Sequence, residues 1–520
     1  MGQHKKTLFE TFDAMAIRLV KLIFAGVVLL QFGLGLISTR FVLEPMQAIT
    51  YDFSSIVKYA GLIAGIFVAI FLLQKFCKLE QWNSKALFAA LAVYTFTIGL
   101  IFVLNGCGTP SADQSTVVRT ASEFIAGNYR EFTWNHYLFF NPHQLGLVAL
   151  LEVLFRLFGD GNYLALRVLN ILCVIAIYYF LYRIILRLSG GNSLAGNAVL
   201  VTLFFCPYTL LYCSLVYNDL IGLALGLLAI WLLMEYLSTQ KKAQFIGSVL
   251  AISVSFVLRN NSAIILIAMV IILVFHLFRT KRYSRLVLPV LMIACVLLCN
   301  TALKQYYSNR SGEKVNVGIP AYARLVMGFQ DSTTGPGWYN NYVWAVYEAN
   351  YFNTNQTLEN CRNDLIKIVA DFKKNPARTV DFFYKKYVSQ WCDPTLDTFS
   401  TTWANISEQP TPLYSSIYGG KLYYPIYMEM VFFQFAIVAG TLFFVLSTWH
   451  NPSWTLNKLL PAIIIIGGFL FHMIFEAKGR YVFPYFMMEI PYAIIGYLRF
   501  MDSIHKKIAQ IRESAVRKKA

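Results

Sequence analysis

Apolar runs of membrane-spanning length recur along this chain, and nothing else in it limits the fold as strongly. The clearest runs from Ala86 to Leu104 and carries no charge. A bilayer core takes about 20 predominantly apolar residues in helical form. Read by hydropathy, the runs predict about twelve spans, near 17–37, 55–76, 86–105, 163–187, 194–213, 219–237, 243–259, 261–279, 284–303, 426–446, 459–475 and 480–499. An outer-membrane barrel would show short alternating segments instead. Only 14% of residues are charged, against about 25% in an ordinary soluble domain. The expected class is an all-α polytopic membrane protein. The first span is too long, and too continuous with the rest of the chain, for a cleaved signal peptide, and no A-x-A-like site comes after it.

Basic residues set the expected orientation. They cluster at His4-Lys5-Lys6, Lys75/Lys78/Lys85, Arg183/Arg187, Lys241-Lys242, Arg279–Arg285 and Lys506–Lys519. With alternating spans these fall on one side, which places both termini in the cytoplasm and explains most of the net charge of +17. Dispersed over short loops, without an aromatic-basic groove, they do not suit nucleic acid. The short cytoplasmic loops leave no room for a nucleotide-binding domain. No Walker motif and no G-x-G-x-x-G after a strand is present. The same parity puts 106–162 and 304–425 outside. The chain divides into three units: a transmembrane module 1–303 with the external loop 106–162, an external domain 304–425, and a transmembrane module 426–520 with a basic cytoplasmic tail.

Five of the nine cysteines, Cys173, Cys206, Cys213, Cys295 and Cys299, lie in spans and serve as small apolar residues. Cys361 begins one helical stretch and Cys392 ends the next, with Asn375-Pro376 between them as N-cap and N1. An antiparallel hairpin would bring the two together, which makes them a disulfide candidate. No Cys/His set has zinc spacing.

The external segments hold the candidate chemistry. Asp113 comes after the small residues Gly106–Ala112, ahead of a short surface helix over 115–128 with Val117, Val118, Ala121, Phe124 and Ile125 on one face. Then comes Asn141-Pro-His-Gln-Leu-Gly146, leading into an apolar stretch, 145–158, that suits an interfacial helix and carries Glu152 and Arg156 at i,i+4. Asp219 comes after Tyr217-Asn218 in a tight turn, Arg259 begins another, and Glu476-Ala-Lys-Gly-Arg480-Tyr481 opens the last span. Ionisable groups at membrane depth are costly and point to function. Plainer roles stand beside each: Asp113 or Asp219 as a helix cap, Arg259 reaching to headgroups, and Glu476 and Arg480 as an i,i+4 pair. His143 suits a structural role better than metal ligation.

Taken in order, Asp113, N-P-H-Q-x-G, L-F-G-x-x-x-Y-x-x-x-R ending at Arg167, the Tyr-Asn-Asp turn and E-A-x-x-R-Y-x-x-P resemble the GT-C membrane glycosyltransferases. That superfamily includes protein O-mannosyltransferases and aminoarabinose transferases, and the family-39-like members of Gram-positive bacteria are most similar. The resemblance covers roughly 85–500. Relatives often carry a second acid after the first, where this chain has Gln114.

The resemblance implies a GT-C fold, a polyprenyl-phosphate-linked sugar donor, and a glycopolymer, lipid or protein acceptor at the cell envelope. Asp113 would be the catalytic base, with Asp219 aligning the acceptor, placing a cation or pairing with an arginine. Arg259, Arg480 and Tyr481 would stabilise the leaving phosphate. His143 and Gln144 would hydrogen-bond sugar or phosphate, and Glu476 joins them as a substrate-binding candidate. In 304–425, Trp338, Tyr339 and Trp391 are acceptor-side candidates. No redox cofactor is expected, and a divalent cation is left open. Two rival readings stand beside this one: a flippase or secondary transporter for lipid-linked sugars, and a polysaccharide ligase or polymerase.

Overall fold

A computed structural model describes residues 8–43, 48–52, 61–62, 65–66, 77–403, 410–451 and 453–517. Most of the expected span 55–76 lies outside these residues, as do His4–Lys6, Lys75 and Lys518–Lys519. Helix α1 (Leu8–Ile37) precedes an antiparallel strand pair, β1 (Thr39–Leu43) and β2 (Ala48–Asp52), in which Phe41 faces Thr50. Next are helices α2 (Ser84–Asn105), α3 (Asp113–Ile125), α4 (Leu145–Phe158) and α5 (Leu164–Ser189). Then come α6 (Ser193–Leu203), α7 (Pro207–Tyr212), α8 (Asp219–Thr239), α9 (Lys242–Leu258), α10 (Ala263–Arg279) and α11 (Val287–Ser311). The polar stretch holds α12 (Ala321–Met327), α13 (Tyr342–Ala349), α14 (Thr354–Lys374), α15 (Pro376–Trp391), α16 (Thr398–Trp403) and α17 (Pro412–Ile417). Helices α18 (Tyr423–Thr448), α19 (Leu460–Ile474) and α20 (Gly479–Arg517) follow.

Eight helices among the described residues are long and apolar enough to cross a membrane. The count becomes nine if Arg130–Phe140 and Pro142–Phe158, bent by 101°, form one broken span. Of the expected twelve, 55–76 lies mostly outside the described residues, and three others fall short for local reasons. The run 194–213 breaks before Pro207, which cannot donate to a preceding carbonyl, and becomes α6 and α7. The run 243–259 is the 17-residue α9. The run 480–499 lies in the 39-residue α20, where Glu489, Pro484, Pro491 and several tyrosines dilute the hydropathy.

Capping tracks the sequence where side chains reach. Asn83 accepts from the backbone N–H of Lys85 and Ala86 at the start of α2. Helix α3 buries Val117, Ala121 and Phe124, the face expected of it, while Val118 and Ile125 pack partly buried beside them. Glu152 meets Arg156 at 2.8 Å as the spacing predicts, and also receives Arg310 at 2.7 Å and the Tyr307 hydroxyl at 2.6 Å. Those contacts tie α4 to the far end of α11.

The disulfide expectation is corrected. Cys361 and Cys392 are both free and buried. Pro376 does stand at the first position of α15, but Asn375 makes no side-chain cap. The start of α14 packs on α12 and α13 in a satellite cluster containing Cys361, whereas the end of α15 drives Trp391 and Cys392 into the main core. The two thiols thus belong to different packing units.

Candidate functional site

The site lies where helix ends from distant parts of the chain meet. The turn after α7 is held from beneath by α5: Arg167 donates to Ser214 O at 2.8 Å and to Gly108 O at 2.6 Å, and Asn170 donates to Leu215 O at 2.8 Å. One guanidinium thereby joins the loop before Asp113 to the turn before Asp219. Gln114 accepts from the Val216 backbone N–H at 2.8 Å, so the residue after Asp113 joins the two loops. Ala112 takes a left-handed φ of 45°, unusual outside glycine, and Asp113 is the first helical residue rather than the cap. Its carboxylate stands at the positive end of α3.

Asp113 is exposed, and its Oδ2 accepts from the Tyr217 hydroxyl at 3.0 Å. Gln144 Nε2 donates to the same Tyr217 oxygen at 3.4 Å. The Tyr137 hydroxyl lies beside both Tyr217 and Asp113. Burial first, and then the Asp113 charge, pushes the Tyr217 phenol well above its usual range; Tyr137 is raised by burial, Tyr217 and Asp113. Both phenols therefore stay protonated donors. Buried Glu131 holds the Tyr137 end of this arrangement, accepting from the Tyr137 N–H at 2.9 Å and pairing with Arg119 at 3.0 Å.

On the other side of Tyr217 lies the Arg480 guanidinium, 4.3 Å from the ring centroid. Arg480 Nε contacts Asp219 Oδ1 at 3.2 Å, and Arg259 Nη1 contacts the same oxygen at 2.7 Å. Asp219 Oδ2 and Arg259 Nε are buried with no hydrogen-bond partner. One carboxylate thus faces two arginines. Glycines permit the approach: a Cβ at Gly222 would sit 3.1 Å from Arg259 Cβ, and one at Gly146 would lie 2.1 Å from Val257 O. The last residue of N-P-H-Q-L-G is therefore where α4 touches the end of α9. A narrow crevice opens beside Arg259. Asp219, Arg259, Ser262 and Tyr481 line its polar part, and Leu223, Ile265 and Met488 its apolar part.

Arg480 pairs with Asp219, not with Glu476, because Glu476 precedes the first turn of α20 and i,i+4 geometry does not apply. Glu476 is half-buried, and its charge reaches Tyr339, as does that of Asp113. Burial raises the Tyr339 phenol, with Glu476 and Asp113 adding to it and Arg324 opposing. Tyr339 is 46% exposed, so its ring is open to a ligand. Trp338 and Trp391 are corrected: they are 3% and 0% exposed and belong to the core. Trp338 donates to Ser389 Oγ at 3.0 Å, and Trp391 stacks between Tyr387 and Tyr485. Neither offers a face to a sugar. His143 is half-buried beside Arg324 and Lys304; burial and then those two cations lower it to about 3.

Of the sequence candidates, Asp113, Asp219, Gln144, Arg259, Arg480 and Tyr481 meet around Tyr217 and the crevice, with His143, Tyr339 and Glu476 at the margin. Tyr217, Tyr137 and Arg324 were not singled out by sequence. Tyr217 adjoins the Asn-Asp turn, which is a local signal; Tyr137 and Arg324 have none. Among the described residues no three His, Cys, Asp or Glu side chains are grouped as metal ligands.

Residues 143–303 match a family model described as dolichyl-phosphate-mannose-protein mannosyltransferase. That family lies in the GT-C superfamily, so the resemblance read from sequence holds over this stretch and points to a membrane glycosyltransferase of the GT-C type. The match contains His143, Gln144, Arg167, Asp219 and Arg259. No curated protein matches the chain.

Proposed function

We propose that the protein transfers a sugar from a polyprenyl-phosphate-linked donor to a cell-envelope glycopolymer, lipid or protein, on the extracytoplasmic face. The observation that carries this reading is the crevice lined by Asp219 and Arg259, which is charged at one part and apolar along another, with Arg480 joined to it through Asp219. A lipid phosphate has the same two characters. Arginine suits the phosphate because its planar fork donates in pairs. Asp113 stands across Tyr217 from those arginines.

In this reading Asp113 accepts the proton of an acceptor hydroxyl. The hydroxyl oxygen forms the new bond to the anomeric carbon. The bond from that carbon to the phosphate oxygen breaks, and the electron pair leaves on the phosphate, beside Arg259 and Arg480. Tyr217 holds Asp113 by one oxygen. The Asp113 proton passes to water afterwards. Sidedness is supported by the helix ends. Arg167, Asp219, Arg259 and Arg480 occupy one set of ends, whereas Arg187 with Glu235, Lys242 and Arg279 occupy the opposite set. In the same reading, 304–425 is an external domain between modules 1–303 and 426–520, and Tyr339 brings it to the acceptor side.

The test is transfer from a polyprenyl-phosphate sugar by the purified protein in vesicles, comparing the native chain with Asp113→Asn. Transfer lost in the variant while donor binding persists supports the reading. Equal transfer by both removes Asp113 as base, and movement of the donor across the membrane without transfer favours a flippase.

A further inference from the structure

Arg259 and Arg480 share Asp219, but a third arginine near the site has no acidic partner. Arg324 donates from Nη2 to Asn141 Oδ1 at 3.0 Å, and among the described residues it forms no ion pair. Lys304, also half-buried and without an ion pair among the described residues, approaches from the end of α11. Both cations act on His143, and Asn141, two residues before it, holds Arg324. The imidazole is held neutral there and adds no third charge, though it keeps one N–H to donate.

Arg324 is held in place. The segment before α12 is fastened to the N-P-H-Q bend: Ile319 N–H donates to Phe140 O at 3.0 Å, and Asn316 Nδ2 donates to Phe139 O at 3.1 Å. Gly318 has a φ of +80°, and a Cβ there would lie 2.4 Å from Pro142 Cδ. Only glycine fits that crossing. The guanidinium is thus fixed at the N-P-H-Q bend, on a part of the chain outside the matched family region. The Tyr339 phenol feels Arg324 together with Asp113 and Glu476, so this cation adjoins the acceptor side of the site.

An arginine and a lysine, partly removed from water and without an ion pair among the described residues, form an anion receptor. Resting on the transferase reading above, we infer that Arg324 and Lys304, at the N-P-H-Q bend by His143, bind a phosphate ester in addition to the Asp219 arginines. The ester belongs either to the lipid donor or to a phosphate-bearing acceptor polymer.

Binding to the full chain in lipid nanodiscs tests this without any turnover. The probes are geranyl phosphate, geraniol and an oligomer of glycerol phosphate. Arg324→Gln should weaken at least one phosphate probe by about 10-fold or more, with geraniol unchanged, and Lys304→Gln should weaken the same probe. Arg324→Lys, which keeps the charge, should recover part of the loss and guards against a folding defect. Loss confined to geranyl phosphate assigns the site to the donor; loss confined to the glycerol phosphate oligomer assigns it to the acceptor. Unchanged affinities in both Gln variants, or no phosphate binding by the native chain, overturn the inference. An Arg324-dependent phosphate affinity in a protein that transfers no sugar leaves this site standing and removes only the transferase reading.

Discussion

Two acidic turns in this molecule contain similar residues and treat them in opposite ways. At Asp393-Pro-Thr-Leu-Asp397 both carboxylates are wholly buried, and every carboxylate oxygen accepts. Asp393 takes the Thr395 N–H at 3.0 Å, the Thr395 hydroxyl at 2.8 Å and the Asp397 N–H at 2.8 Å. Asp397 takes Ser400, Thr401 at 3.0 Å and Lys478 at 3.6 Å. Tyr208 donates to the turn at Pro394 O, 2.9 Å away, and Tyr212 donates at Leu396 O. Around Tyr217 the pattern is open. Asp113 is exposed, and Asp219 presents one oxygen to two arginines and leaves the other without a partner. A saturated carboxylate can only hold the chain, because its lone pairs are in use. An unsaturated one still has capacity for a substrate, and the contrast separates scaffold from site where proximity to tyrosine does not.

One substitution made in both places tells scaffold from site. Asp113→Asn should lower transfer by about 10²–10⁴-fold, the usual contribution of a positioned base. Equal loss of rate per folded molecule on Asp397→Asn would erase the distinction. Asp219→Asn should be the most destabilising change, by about 3–5 kcal/mol, because two arginines would lose their counter-charge; thermal unfolding in detergent measures it. Asp397→Asn should cost about 1–3 kcal/mol through lost and unmet hydrogen bonds, with the rate of the folded fraction retained. Tyr217→Phe sharpens the open side: removing one donor to a carboxylate should lower kcat by about 10-fold, with little change in melting temperature.

The smallest effect concerns Lys386. It is buried, donating to Phe475 O at 2.8 Å and to Gly328 O, and burial lowers its amine to about 7 while Glu476 partly opposes the shift. The unfolded chain keeps that amine protonated up to its ordinary value near 10.4. Unfolding between these values therefore takes up a proton, and this group makes stability rise with pH across that window. Lys386→Met should flatten that part of the melting-temperature profile; an unchanged slope assigns it elsewhere.

Much of this was legible in sequence because its signals are local. Apolar run length pointed to the helices, and helix ends carrying lone charges pointed to Asp113, Asp219, Arg259 and Arg480. The failures share one cause, dependence on distant partners. Arg324 has meaning only because Asn141, 183 positions away, lies beside it. Trp338 and Trp391 look like sugar platforms until α15 is seen to carry Trp391 into the core and to receive Trp338 at Ser389. Cys361 and Cys392 flank a real hairpin, but the packing of each helix on other elements decides where the thiols go. Pro207 shows the reverse case, a local signal that hydropathy alone passes over.

The shared Asp219 oxygen has a consequence for turnover. Two guanidinium charges against one carboxylate leave this cluster at net +1. A lipid phosphodiester donor carries one negative charge and matches it. Once the sugar has left, the lipid phosphate is a monoester with about −1.5 to −2 charges at neutral pH, and it is attracted more strongly than the donor was. In the proposed reaction, the spent lipid is held more tightly than the donor, and free lipid phosphate acts as a product inhibitor whose grip loosens as salt is added or pH falls.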